Sequence, residues 1–223
     1  MENGLVIIAG AGQGLGQSLM ERFSHAGYTV AGLNRSNRDN RPNIKQVNLT
    51  DLSATKRIVS DLVQQFGTPK IVIHNTAQLT IKPFLDMADG EFEYIWRNMV
   101  LTAHNLAAAT LPHMIDSGGS FLVSGATASL RGGNRFSAFA SAKFALRGLT
   151  QSLAREFHPQ NIHVAHVILD GIIDTPESRK LHSLDPARMM KTSELADAYF
   201  DLSHQPKSVW THELDLRPAS ENF

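Results

Sequence analysis

The chain has 223 residues, of which 42% are hydrophobic and 19% charged, so it can bury one sizeable core and is expected to fold as a single domain over 1–223. A formal net charge of +0 gives no bulk attraction to nucleic acid or an anionic membrane, and neither partner is expected. The absence of cysteine excludes disulfides, thiolate nucleophiles and Cys-ligated metals, and fits a cytoplasmic location.

The first element is the apolar run Leu5 to Ala9, which lacks a basic leader and reads as a strand buried on both faces. The glycine turn Gly10-Ala11-Gly12-Gln13-Gly14-Leu15-Gly16 follows. Leu15, Leu19, Phe23 and Ala26 then recur at helical spacing until Gly27. Tyr28 to Leu33 reads as a second strand ending at Asn34-Arg35. The polar loop Ser36 to Asn43 leads to a short third strand at Ile44 to Val47. Ser53 to Phe66 is an amphipathic helix carrying Ile58, Leu62 and Phe66 on one face. A fourth strand, Ile71 to Ile73, runs into His74-Asn75-Thr76-Ala77-Gln78.

A long helix is predicted from Gly90 to Ile115, a fifth strand from Ser120 to Ser124, and a helix from Phe136 to His158. His163 to Leu169 reads as the sixth strand. Ile172 to Pro186 reads as a loop with at most a short helix, Thr192 to Ser203 as a helix and Val209 to Leu216 as a last strand. Alternating strands and helices imply a doubly wound, mostly parallel seven-stranded α/β sheet of Rossmann type, flanked by helices on both faces. Ligands of such sheets bind beyond the carboxyl ends of the strands. Gly10–Gly16, Asn34-Arg35, His74–Gln78, Ser124–Ala128 and Asp170–Thr175 are therefore predicted to converge.

The glycine turn follows a strand and opens a helix, the context in which backbone amides and a helix N-terminus hold a pyrophosphate. No acidic residue ends the second strand to bind a ribose 2′-hydroxyl, and Arg35 can pair with a 2′-phosphate instead or stay solvated. Phe139 and Lys143 are four residues apart and share a helix face, which by itself fits either a solvated lysine or half of a reaction centre.

Together these residues resemble the short-chain dehydrogenase/reductase family over nearly the full chain. The family's Thr-Gly-x-x-x-Gly-x-Gly turn appears as Ala9-Gly10 with Gly14 and Gly16, and its Asn-Asn-Ala-Gly as His74-Asn75-Thr76-Ala77. The acidic adenine contact falls on Asn48, the helix asparagine on Asn98, and Pro-Gly-x-x-x-Thr on Asp170-Gly171 with Thr175. The resemblance implies hydride transfer between a nicotinamide cofactor and a carbonyl or alcohol substrate, with NADP(H) favoured over NAD(H). It implies cofactor contacts at Gly10, Gln13, Gly14, Leu15 and Gly16, at Asn34, Arg35, Asn48 and Leu49, and at Asn75, Ala77, Lys143, Gly171 and Thr175.

The family's Tyr-x-x-x-Lys aligns with Phe139 to Lys143, and its serine with Ala126. Lys143 and Asn98 are thus the retained catalytic positions, while the phenol and the serine hydroxyl are missing. The resulting expectation is an oxidoreductase with altered proton delivery; the alternative is a catalytically silent cofactor sensor or interaction protein. Ser124, Thr127, Ser129, Ser137 and Ser141 offer nearby hydroxyls. No other tyrosine is expected close by, His74 is able to titrate near neutrality but is expected to support the adenosine side rather than catalysis, and no metal site is expected. Family resemblance further implies a small-molecule substrate and a homodimer or homotetramer built on the Gly90–Ile115 and Phe136–His158 helices. The ending Asp215-Leu216-Arg217-Pro218 departs from the family's glycine-rich terminus.

Overall fold

Seven strands form one sheet in the order β3-β2-β1-β4-β5-β6-β7, and every neighbouring pair is parallel. They are β1 Leu5–Ala9, β2 Thr29–Asn34, β3 Ile44–Gln46, β4 Pro69–His74, β5 Gly119–Ser124, β6 Ile162–Leu169 and β7 Glu213–Leu216. The computed structural model describes residues 3–37 and 40–220; positions 38 and 39 of the polar loop lie outside the described residues.

The sheet is buried on both sides because its strands alternate between two apolar layers. Leu5, Ile7 and Ala9 face Leu62 of α2 (Leu52–Phe66), Leu106 of α4 (Thr102–Met114) and Leu146 of α5 (Ser137–Phe157). Val6 and Ile8 face Leu19 and Phe23 of α1 (Leu15–His25) and Leu195 of α7 (Thr192–Ser203). Each such buried aliphatic side chain contributes roughly 1.5–3 kcal/mol. With all strands parallel, their carboxyl ends share one edge, as a right-handed doubly wound sheet requires.

Two elements differ from the sequence reading, while the short helix that it allowed within the 172–186 loop is present. The long helix predicted from Gly90 is α3 (Glu91–Trp96) joined to α4 through a π turn at Arg97–Leu101. There the Asn98 carbonyl accepts the Thr76 and Thr102 hydroxyls at 3.2 and 3.0 Å, which widens the helical ladder. The last strand starts at Glu213 rather than Val209. The Gln205 side chain bonds the Thr211 amide and hydroxyl and holds the preceding residues in a loop. Within the 172–186 loop, Pro176–Leu181 forms the short helix α6, capped by the Thr175 hydroxyl on the Ser178 amide.

Candidate active site

The glycine turn is shaped by close approach. Gly10 adopts φ +81°, and a Cβ there would lie 2.6 Å from the Asn75 carbonyl oxygen. A Cβ on Gly16 would lie 2.2 Å from the Gly10 carbonyl oxygen, so the turn and the first turn of α1 touch through bare backbone. Around Gly12, by contrast, the nearest atom to an added Cβ is 4.0 Å away. The α1 helix starts after Gly14 with no side-chain cap, which leaves its first amides for a ligand.

Two adjoining cavities open at this edge and share Asn75 and Ala77. The first, about 250 Å³, is lined by Gly10, Gln13, Leu15 and Gly16 on one side, and by Asn34, Arg35, Asn48 and Leu49 on the other. The second, about 600 Å³, takes in Ala126, Phe139, Lys143, Gly171 and Thr175. Gly14 lies against Thr175, where an added Cβ would meet the Thr175 methyl at 2.9 Å. Thirteen of the fourteen positions assigned to a cofactor from sequence therefore line these two adjoining cavities, and the fourteenth, Gly14, lies against Thr175 of the second. The glycine cradle, uncapped helix start and polar walls fit an extended dinucleotide.

Asn98 lines the first cavity, not the second. Its amide nitrogen donates to the Tyr94 carbonyl at 2.7 Å, and its Oδ1 accepts from Arg35 Nη1 at 3.2 Å. Arg35 Nη1 also donates to the Tyr94 hydroxyl at 2.9 Å, so the arginine reaches across to the π turn.

Lys143 is 2% exposed and donates from Nζ to the Ser124 carbonyl at 2.8 Å. Burial pulls its ammonium down to about 7. The Phe139 ring centroid lies 5.6 Å from Nζ, and the ring occupies the cavity wall with no proton to give. His74 corrects the expectation of a group titrating near neutrality. It is fully buried at the end of β4, with Nε2 3.0 Å from the Thr102 hydroxyl. Burial, with a smaller push from Lys143, lowers it to about 3, and the ring is neutral at pH 7.

Most of the neighbouring hydroxyls are already engaged. Ser124 Oγ donates to Asn75 Oδ1 at 2.9 Å and lies 2.6 Å from the hydroxyl of Tyr199, a buried α7 residue. A second tyrosine is thus close to the site after all, because α7 packs beneath β5; burial pushes its phenol up, away from acid chemistry at neutral pH. Ser129 Oγ accepts the Ala126 amide at 3.1 Å and meets His166 Nε2 at 3.0 Å. Ser141 Oγ donates to the Ala138 carbonyl at 2.9 Å. The buried ring of His166 fills the space beside Gly125, and Thr127, Asp170 and Arg217, named separately in the sequence, form a cluster of which Thr127 and Asp170 line the second cavity. The aspartate carried a signal as a carboxylate where the family places proline, Arg217 as part of an ending that departs from the family's, and Thr127 as a nearby hydroxyl.

The family model described as short chain dehydrogenase matches residues 4–185. The chain belongs to the short-chain dehydrogenase family. Its members are NAD(P)-dependent oxidoreductases, and the parallel seven-stranded sheet is their fold. A short-chain dehydrogenase structure from Rhodopseudomonas palustris is 30% identical, with a TM-score of 0.82, covering 98% of this chain and 100% of its own. The probable galactose dehydrogenase GalD of Rhizobium meliloti is 25% identical over 190 residues, 79% of this chain and 74% of that protein. The 3alpha-hydroxysteroid dehydrogenase of Mediterraneibacter gnavus is 24% identical over 96% of this chain and 95% of its own length. Among the described residues, no helix is long and apolar enough to cross a membrane.

Proposed function

We propose that this short-chain dehydrogenase binds NADP(H) in the crevice and interconverts a carbonyl and an alcohol on a small molecule, without the family's tyrosine phenol and serine hydroxyl. The observation that carries this reading is the continuity of the crevice from the bare-backbone glycine turn to buried Lys143. Gly10, Gly14, Gly16 and the start of α1 would hold the pyrophosphate, Asn34, Asn48 and Leu49 the adenosine, and Lys143 the nicotinamide ribose. The cofactor supplies or accepts the hydride. Phe139 and Ala126 stand at the phenol and serine positions.

NADP(H) is favoured over NAD(H) by the guanidinium at the end of β2. Among the described residues both side-chain bonds of Arg35 come from Nη1, to neutral partners, which leaves Nε and Nη2 donors for a 2′-phosphate. Calorimetric titration with NADP(H) and NAD(H) tests this. Tighter binding of NADP(H) by tenfold or more is expected; tighter NAD(H) would reverse the assignment, and no binding of either would remove the function.

A second reading, a cofactor-binding protein without turnover, is favoured by Phe139 and Ala126 alone. Turnover that arises only in a Phe139→Tyr/Ala126→Ser variant would select it. We also place the working protein in the cytoplasm as a homodimer or homotetramer. The half-exposed Phe92, Trp96 and Phe144 lie on the α3 and α5 helices expected to form the contact. Light scattering on the purified chain distinguishes these from a monomer.

A further inference from the structure

With Phe139 and Ala126 on its wall, the second cavity needs another group to handle the proton. Four hydroxyls line it: Ser124, Thr127, Thr175 and Ser178. Ser124 is held between Asn75 and Tyr199. Thr175 accepts the Ser178 amide at 3.1 Å and donates to the Ser178 hydroxyl at 3.0 Å, so this pair caps α6. Thr127 remains, half-buried and directly after Ala126. Its hydroxyl donates to Asp170 Oδ1. Asp170 is 5% exposed, and its other oxygen pairs with Arg217 Nη2 at 3.1 Å.

Positions read from sequence as separate departures from the family meet in this cluster. Asp170 stands in place of a proline at the end of β6. Arg217 belongs to the tail that replaces a glycine-rich ending. The Asp170 amide donates to the Leu216 carbonyl at 2.8 Å, so the backbone of that tail sets Arg217 beside the carboxylate. Asp170 is the one carboxylate among the lining residues; Lys143, Arg131 and His182 line the same space, and Asp215 shares Arg217.

We propose that Thr127 takes the place of the missing hydroxyls at the substrate's reacting oxygen, with Asp170 as its proton acceptor and Arg217 as the positioning charge. This rests on the cofactor-binding reading above. Because Thr127 gives its own proton to Asp170, its oxygen keeps lone pairs for an incoming alcohol O–H. In the oxidative direction the alcohol O–H bond breaks and its proton passes to Thr127 Oγ1, as the threonine proton passes to Asp170 Oδ1. The alcohol C–H bond breaks, and its hydrogen leaves with the bonding electron pair to the oxidised nicotinamide. A carbonyl, a reduced nicotinamide and a protonated Asp170 result, and reduction is the reverse.

The test uses the full chain with NADP+ and a panel of secondary alcohols, diols and aldoses, read by NADPH formation. NADP+ affinity is measured by calorimetry, and alcohol contact with the NADP+ complex by saturation-transfer NMR. Thr127→Val and Asp170→Asn, both nearly isosteric, are expected to lower kcat by about 10²-fold with NADP+ affinity unchanged. Thr127→Ser is expected to keep at least a third of the rate. Asp170→Asn should leave KM and the alcohol NMR signal in place. Wild-type kcat in Thr127→Val or Asp170→Asn would overturn the proposal, as would failure of Thr127→Ser to rescue. NADP+ binding without wild-type turnover on the panel would overturn it and leave the cofactor site standing. Absence of NADP+ binding would instead remove the reading on which it rests.

Discussion

Lys143 is a buried ammonium without a carboxylate partner among the described residues, and that has a measurable cost. Among the described residues its Nζ donates to the Ser124 carbonyl, and burial lowers its pKa from 10.5 to about 7. The unfolded chain therefore binds a proton more readily than the native one. The penalty is largest below pH 7, shrinks as pH rises toward 10.5 and vanishes above it. At pH 6 it amounts to about 5 kcal/mol. Replacing Lys143 with methionine keeps most of the volume and removes the charge, at a loss of about 1 kcal/mol for the bond to Ser124. The Lys143→Met protein is expected to be more stable than wild type by about 3–4 kcal/mol at pH 6. The advantage should contract by about 2–3 kcal/mol by pH 9. Urea denaturation of both proteins at several pH values reads this directly, and the difference between them cancels the titrating groups that Lys143 does not touch; His74 and His166, which feel its charge, are lowered to about 3 and lie below the range compared. An advantage that stays flat from pH 6 to 9, or a less stable variant throughout, would refute the reasoning. A lysine kept at this cost where its removal would stabilise the fold points to work done at its amine, which is ribose binding in the reading above.

The other consequences are testable in the same protein. His74 and His166 are both lowered to about 3, chiefly by burial, so each contributes stability that is complete above pH 6.5 and is lost as pH falls toward 3. Their ring proton signals in NMR should not titrate between pH 5 and 8; a midpoint in that range would contradict their burial. Gly16→Ala places a Cβ 2.2 Å from the Gly10 carbonyl oxygen. This should cost about 1–3 kcal/mol and abolish dinucleotide binding, seen as a lower urea midpoint and a flat calorimetric titration. Arg35→Ala should weaken NADP(H) about 10- to 100-fold and leave NAD(H) within about threefold, since one charged hydrogen-bonding group is removed. An equal loss for both cofactors would show that the arginine supports the π turn rather than a phosphate.

What was legible in sequence was whatever depends on local spacing. The apolar runs at Leu5–Ala9 and Ile162–Leu169 announce buried parallel strands because no polar residue alternates on a solvent face, His163 and His166 excepted. The glycine turn and the four-residue step from Phe139 to Lys143 are local too, and both line the crevice or build its floor. The π turn was not legible, because the hydroxyls that open it include Thr76, which comes from another segment. Nor was the partner of Asn98: that residue answers to Arg35, from the end of β2. His74 reads as a free imidazole at a strand end until α4 brings Thr102 over its ring.

The Arg217–Asp170–Thr127 chain shows the same limit most sharply. Read along the sequence, an aspartate for a proline and a charged ending for a glycine-rich one look like unrelated erosion, in keeping with a decayed enzyme. In the parallel sheet β6 and β7 are neighbours, so the ends of both strands arrive together with the turn after β5. Independent decay has no reason to place a carboxylate where an arginine and a hydroxyl satisfy both its oxygens. A buried carboxylate lacking either partner would cost the fold several kcal/mol, so the positions depend on one another. That dependence favours a rebuilt reaction centre over an abandoned one.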